Sequence, residues 1–155
     1  MIEILKCENK DYTNWATLRN KLWPGLNIKG HLENIEYLKS MMSYECWLAK
    51  TNDNFVGFIE ASIRAFANGC SVTPVVFLEG IWIAPEHRGS GISKKLLEFV
   101  EAWAKQNDIN EIGSDTELDN LGGQKFHLNN SFKETERVIY FCKKLDDKKA
   151  NQENL

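Results

Sequence analysis

The segment Val76–Leu97 limits the possible folds of this chain more than any other, because it predicts a strand, a sharp turn and a helix in succession. Most residues from Val76 to Ala84 are β-branched or aromatic, which is typical of a central strand. Pro85 ends that strand because proline has no N–H group to donate to a sheet ladder. Beyond the turn, apolar residues recur at helical spacing: Ile92, Leu96, Leu97, Val100 and Trp103.

The turn Arg88–Gly91 brings free backbone amides and the positive end of the helix dipole to one point. Its glycines let an anion approach the backbone because they carry no Cβ atom. The third glycine of a dinucleotide fingerprint and the Gly-Lys-Ser/Thr of a phosphate loop are both absent. Taken alone, the turn therefore indicates either an anion site or an ordinary tight connection.

The rest of the chain predicts further strands and helices around this unit, in the order β, α, α, three β, α, β, α, β. The predicted strands are Ile2–Lys6, Glu45–Lys50, Phe55–Ala67, Val76–Ala84, Glu111–Asp115 and Thr135–Lys144. The predicted helices are Asp11–Leu22, His31–Met42, Gly91–Gln106 and a last one that begins at the N-cap Asp119 and ends near Asn129. This order indicates an α/β or α+β fold with a mixed sheet flanked by helices.

Length and composition narrow the possible classes of protein. With 155 residues, we expect one domain at residues 1–145 and a polar, frayed tail at residues 146–155. The net charge of −3 argues against nucleic acid as a partner, because phosphate-binding surfaces are normally basic. We expect no signal peptide and no membrane span, because charged residues interrupt the apolar runs. The cysteines are far apart and lack metal-site spacing, so we expect reduced thiols in the cytoplasm and no metal.

Residues Arg88 to Ser93 fit the pattern Arg/Gln-x-x-Gly-x-Gly/Ala, with Ser93 in place of the last small residue. This run resembles the acyl-CoA-binding motif of the GNAT superfamily of N-acetyltransferases, whose central sheet is mixed and mostly antiparallel. The predicted order of elements is similar to that family along nearly the whole chain. The resemblance implies acetyl-CoA as cosubstrate, bound by Ile81, Ile83, Arg88, Gly89, Ser90, Gly91, Ile92, Ser93, Asn120 and His127.

Asn120, His127 and the pair Ser131-Phe132 form a second match to the same family. The resemblance implies that Asn120 binds the pantetheine arm and that His127 stands where a tyrosine commonly protonates the CoA sulfur. A histidine suits that task because it exchanges protons near neutral pH. The alternative is that His127 only packs against the sheet, in which case Tyr140 is the next candidate acid.

Two carboxylates stand out because of their positions in strands. Glu79 interrupts an otherwise apolar strand, where an unpaired buried carboxylate is costly. Asp115 ends the next strand, and the resemblance to the GNAT family, in which these two strands splay, implies that both acids face one cleft beside the acetyl group. Such a cleft selects a polycationic amine. For Asp119 and Glu117 we favour a structural role, as a helix cap and a solvated side chain.

A more specific resemblance covers about residues 10–145 and concerns the aminoglycoside 6'-N-acetyltransferases. It rests on Arg19-Asn20-Lys21-Leu22-Trp23, Glu60-Ala61-Ser62-Ile63-Arg64, Phe77-Leu78-Glu79-Gly80-Ile81, Ser114-Asp115 and Phe132-x-Glu134-Thr135-Glu136. The resemblance implies that Trp23 and Phe66 form apolar walls for the sugar rings and that Glu79, Asp115 and Glu136 hold ammonium groups. It also implies a homodimer, in which the Phe55–Ala67 region could pair across a two-fold axis.

The implied reaction is direct transfer of the acetyl group from acetyl-CoA to the 6'-amine of an aminoglycoside. Asp115 or Glu79 would accept the amine proton, directly or through water, and His127 would protonate the leaving sulfur. The alternatives are a polyamine, an amino acid or a peptide as substrate, or a non-catalytic acyl-CoA-binding module.

Overall fold

The computed structural model describes residues 1–146, which form a five-stranded mixed sheet with helices on both faces. Its strands are Ile2–Lys6 (β1), Tyr44–Thr51 (β2), Asn54–Arg64 (β3), Val75–Ile83 (β4) and Ile112–Ser114 (β5). Its helices are Tyr12–Leu22 (α1), Ile28–Met41 (α2), Ile92–Gln106 (α3) and Leu121–Asn129 (α4), and short 3₁₀ turns cover Asn9–Asp11 and Pro85–His87. The strands lie side by side in chain order, antiparallel from β1 to β4 and parallel between β4 and β5. Helix α3 makes the crossover that a parallel pair requires.

The alternation of side chains along the strands divides the core between the two faces of the sheet. On one face, Trp47 and Ala49 pack with Leu96 and Val100 of α3. On the other face, Leu48 packs with buried residues of α1 and α2 and of the other strands, including Trp15, Ile35, Tyr44 and Phe58. The sheet is thus covered on both sides, as the sequence predicts.

Most predicted elements form within one or two residues of their expected bounds. The central strand is Val75–Ile83 and its helix is Ile92–Gln106, which confirms the strand–turn–helix prediction. Helix α2 begins three residues before the predicted His31, because the Asn27 side chain accepts a hydrogen bond from the Gly30 amide at 2.8 Å. Sequence periodicity locates a helix well and its first turn poorly.

The predicted strand Thr135–Lys144 is wrong for the single chain. Residues 132–146 form no helix or strand, and residues 133–146 are exposed. The side chains of Ile139, Tyr140 and Phe141 are 80%, 74% and 91% exposed. The alternating pattern is present, but this stretch has no neighbouring strand within the described part of the chain.

Two further expectations concern the sheet edges and the chain end. Strand β3 pairs with β2 on one side and β4 on the other, so the expected pairing of Phe55–Ala67 across a two-fold axis is wrong.

The predicted polar tail lies, apart from Asp146, outside the described residues. Among residues 1–146, no helix is long and apolar enough to cross a membrane.

Candidate active site

Strand β4 has a free edge in its second half. Its pairing with β5 runs only from Val76 to Leu78, the last pair being Leu78 with Ser114. The Ala84 amide donates to the Val56 carbonyl of the β3 side at 2.8 Å. Because backbone groups alternate in direction along an antiparallel strand, the amides of Ile81 and Ile83 point away from β3. Both amides therefore lie on the free edge, which supports the contacts predicted for them.

The turn after β4 has the shape of an anion site. Gly89 and Gly91 have φ angles of +75° and +83°, which side chains rarely adopt, and a Cβ at either would meet no heavy atom within 4 Å. Gly91 is the N-cap of α3, so the first amides of that helix lack partners within it. Arg88 ties the turn to β4 by donating from Nε to the Ile83 carbonyl at 2.9 Å. Free amides at the start of α3 and open space around the two glycines suit an anion such as a pyrophosphate, so the predicted segment Arg88–Ser93 is compatible with the implied cofactor.

His127 lies on α4, with its ring between Phe126 and Phe132 in edge-to-face contacts. Its Nδ1 lies 2.6 Å from the Gly123 carbonyl, and its Nε2 lies 2.7 Å from the Ser114 hydroxyl oxygen. A carbonyl can only accept, so Nδ1 carries a hydrogen. Nε2 accepts from Ser114 in the neutral ring and donates to it in the protonated ring. The ring is thus packed, and it also reaches the end of β5.

The amide of Asn120 caps helix α4. Its Oδ1 accepts from the Gly123 amide at 2.9 Å, so the predicted N-cap Asp119 is wrong by one residue. An asparagine caps as well as an aspartate, and sequence alone does not separate adjacent candidates. A Cβ at Gly123 would lie 2.5 Å from the Thr116 hydroxyl, which explains this glycine inside a helix. The role predicted for Asn120 in binding pantetheine rests on its remaining amide group.

A cavity of about 660 Å³ opens beside the start of the free edge. Of the predicted substrate residues, Trp23 and Glu79 line it. The other lining residues are Arg19, Asn34, Leu38, Met42, Tyr44, Glu60, Ile63, Arg64 and Ala65. The Trp23 ring packs directly on Gly80, where a Cβ would lie 2.5 Å from it. Glycine at this position therefore lets Trp23 form a wall of the cavity.

Glu79 is the extra residue of a β-bulge. The β3–β4 register passes from Glu60 opposite Gly80 to Ala61 opposite Leu78, so Glu79 has no partner across the ladder. Bulges commonly change the direction of a side chain near a functional site. Here Glu79 Oε1 accepts from Ser62 at 2.6 Å and from Arg64 Nε at 2.9 Å, and its Oε2 accepts from Arg64 Nη2 at 2.8 Å.

Glu60 is a site residue that the sequence analysis missed. It is fully buried, and its carboxylate accepts from Trp15 Nε1 and from the Tyr44 hydroxyl, both at 2.6 Å. Arg19 Nε lies 3.3 Å from the same carboxylate. Burial raises the pKa of Glu60, and the Arg19 charge and the two donors oppose that shift. Glu60 interrupts an apolar strand as Glu79 does, so both carboxylates carry the same sequence signal.

The remaining predicted residues lie outside the cavity. Asp115 directly follows β5, as Glu79 follows the last paired residue of β4, and it is exposed. Phe66 is 74% exposed, and Glu136 lies on the exposed segment after α4. The structure thus brings together Trp23 and Glu79, and the roles of the other three stay predictions. Within residues 1–146, no group of three His, Cys, Asp or Glu side chains could hold a metal ion.

Comparison with known proteins gives consistent matches along the chain. Residues 13–132 match the acetyltransferase (GNAT) family model. The aminoglycoside N(6')-acetyltransferase type 1 of Acinetobacter haemolyticus is 40% identical over 134 residues, which are 86% of this chain and 92% of that protein. The enzyme of the same name from Salmonella typhimurium is 36% identical over 92% of this chain and 99% of its own length.

Solved structures agree with these sequence matches. The structure of AAC(6')-Iy in complex with the bisubstrate analogue CoA-S-monomethyl-acetylneamine has a TM-score of 0.87 and 36% identity, over 94% of this chain and 99% of that one. AAC(6')-Ih from Acinetobacter baumannii has a TM-score of 0.86 and 38% identity, over 94% of this chain and 100% of that one. This chain is therefore a member of the acetyltransferase (GNAT) family and of its aminoglycoside N(6')-acetyltransferase branch.

Proposed function

We propose that this protein transfers the acetyl group of acetyl-CoA to the 6'-amine of aminoglycosides, in a direct reaction between two bound substrates. The observation that carries the proposal is the free edge of β4, which runs from the cavity at Glu79 toward the turn at Arg88. A ligand along this edge would connect the two sites. The names of the relatives supply the substrate class.

On the cofactor side, the amides from Gly89 to Ser93 would hold the pyrophosphate. The edge amides of Ile81 and Ile83 would bind the pantetheine arm and the thioester carbonyl, with the side-chain amide of Asn120 on the opposite side. Bound acetyl-CoA supplies an activated acetyl group. In its protonated form His127 would be the proton source for the departing sulfur: the Ser114 hydroxyl would give its hydrogen to the sulfur and take the hydrogen of His127 Nε2 in exchange.

On the substrate side, Trp23 would stack against a sugar ring and Glu79 would bind an ammonium group. Asp115, at the end of the neighbouring strand, would accept the proton of the attacking amine, and Glu79 is the alternative base. Phe66 and Glu136 are proposed to complete the aminoglycoside site, as the sequence resemblance implies.

The proposal is tested by following release of the CoA thiol with acetyl-CoA and three amines: kanamycin A, spermidine and a peptide with a free N-terminus. We expect kanamycin A to give the highest kcat/KM. Faster turnover of spermidine or of the peptide would contradict the aminoglycoside assignment and identify a polyamine or a peptide as the substrate class. Acetyl-CoA binding without turnover of any amine would favour a non-catalytic acyl-CoA module.

We also infer a homodimer, and the segment after α4 supports it. This segment exposes Ile139 and Phe141, while the outer edge of β5 has no partner among the described residues. A second copy offers the same segment and the same edge, so a two-fold arrangement would cover both. We expect wild-type protein to sediment at twice the mass of one chain and Phe141→Glu to shift it to the monomer. A monomeric wild type would contradict this inference.

The proposed compartment is the cytoplasm. All four cysteines are free thiols, and Cys7 and Cys46 are buried. Unpaired thiols are typical of reducing compartments.

A further inference from the structure

The cavity beside Glu79 carries no excess of negative charge. Its lining contains two carboxylates, Glu60 and Glu79, and two guanidinium groups, Arg19 and Arg64. Each carboxylate has its own guanidinium, with Arg19 at 3.3 Å from Glu60 and Arg64 at 2.8 Å from Glu79. A polycationic substrate therefore meets a neutralised site and not the acidic cleft that the sequence suggests.

The two ion pairs differ in how easily they can open. Arg19 is 6% exposed and also donates to Asn34 Oδ1 at 2.8 Å, so its guanidinium is fixed under the cavity. The Arg64 side chain is 37% exposed, and its guanidinium lies 3.7 Å from the centre of the Phe77 ring. Arg64 can leave Glu79 and still keep a cation–π contact and water around its charge.

The acceptor capacity of Glu79 is nearly used up in this arrangement. A carboxylate has about four lone-pair positions, and Ser62 and Arg64 occupy three of them here. An incoming ammonium group must therefore compete with Arg64 for Glu79. Ser62 does not take part in this competition, because its neutral hydroxyl can stay bound to Glu79 while the guanidinium moves away.

We propose that Arg64 is a specificity-determining residue, the resident counter-ion of Glu79 that the substrate ammonium displaces. The proposal rests on the proposed aminoglycoside acetylation. The bidentate guanidinium excludes simple monoamines, which offer one ammonium group and no further contacts. A substrate with several ammonium and hydroxyl groups makes enough additional contacts in the cavity to take its place.

The experiment compares wild type with Arg64→Gln and Arg64→Lys in steady-state kinetics with kanamycin A, in the presence and absence of ethylammonium. Arg64→Gln should lower the KM of kanamycin A about tenfold and make ethylammonium a competitive inhibitor, which it is not for wild type. The kanamycin A KM of Arg64→Lys should lie between those of wild type and Arg64→Gln, because lysine is a point charge without the bidentate fork. The matched control is Lys10→Gln, which removes one positive charge from an exposed ion pair with Glu8.

Two outcomes separate this inference from the function on which it rests. Wild type that fails to acetylate any aminoglycoside would contradict the proposed function. If wild type acetylates aminoglycosides but the kanamycin A KM of Arg64→Gln is unchanged or raised, the proposed function stands. Arg64 then only orients Glu79. The unfolding temperatures of both variants are measured in parallel. If the unfolding temperature falls only in Arg64→Gln, the kinetics of Arg64→Lys against wild type decide whether Arg64 competes with the substrate.

Discussion

The imidazole Nε2 of His127 lies 2.7 Å from the hydroxyl oxygen of Ser114, at the point where β4 and β5 stop pairing. The same hydroxyl donates to the carbonyl of Leu78 at 3.3 Å when the protonated ring donates to it from Nε2. A ring on α4 is thus connected through one hydroxyl to the start of the free edge of β4. A packed histidine and a proton-transferring histidine are therefore compatible here.

Replacing His127 by alanine should lower kcat about 10²-fold and change both KM values little, since a general acid acts only in the transition state. Ser114→Ala should lower kcat as well, because the relay is interrupted while the ring stays in place. Steady-state kinetics and the pH profile of kcat measure both. A change below about threefold in His127→Ala would leave the ring its packing role alone and make Tyr140 the next candidate acid.

Replacing Gly91 by valine should raise the KM of acetyl-CoA about tenfold or more, with kcat less affected. Its φ of +83° is unfavourable for a side chain, and the added methyl groups would occupy open space at the N-cap of α3. Isothermal titration with CoA measures the effect directly. Gly25→Val is the control, because a Cβ at Gly25 also meets open space but lies in the turn between α1 and α2. Unchanged CoA affinity in a folded Gly91→Val protein would count against the whole cofactor assignment.

Glu79→Gln should mainly raise the aminoglycoside KM, whereas Asp115→Asn should lose more kcat if Asp115 is the base. Neither should change acetyl-CoA binding, because the proposed cofactor contacts are backbone amides. The kinetics of both variants are measured with kanamycin A, and Glu117→Gln is the control at an exposed acid near Asp115. Wild-type kinetics in both variants would remove both residues from the site.

Glu60 predicts a pH dependence of stability. Because burial raises its pKa above the ordinary value of 4.5, the folded protein binds more protons at this group than the unfolded chain just above that value. Its contribution is fully present below the unfolded pKa and is lost as the pH rises through the folded pKa. The free energy of unfolding of wild type should therefore fall relative to that of Glu60→Gln as the pH rises from about 4.5, by no more than about 1.4 kcal/mol per pH unit.

Urea unfolding of both proteins across this range measures the difference, with Glu33→Gln on the exposed face of α2 as control. Parallel curves for wild type and Glu60→Gln would show that Glu60 has the same charge in both states.

The strand–turn–helix around Arg88 could be predicted from sequence because each part depends on local properties: β-branched residues, a proline, glycines and helical spacing. The Glu79–Arg64 pair could not, because it depends on a bulge that displaces Glu79 from the ladder. The sequence pattern singles out the acid Glu79, but it does not show that Arg64 neutralises it. The segment around Tyr140 has the alternation of a strand, but a strand needs a neighbour, which periodicity does not reveal.

The central claim, acetyl transfer to a 6'-amine, is tested most directly with two aminoglycosides that differ only at that position. Neomycin B carries an amine at 6' and paromomycin carries a hydroxyl there. We predict thiol release with neomycin B, a single acetyl group at the 6'-nitrogen by NMR, and no turnover of paromomycin. Equal turnover of both compounds, or an acetyl group on another nitrogen of neomycin B, would contradict the assignment.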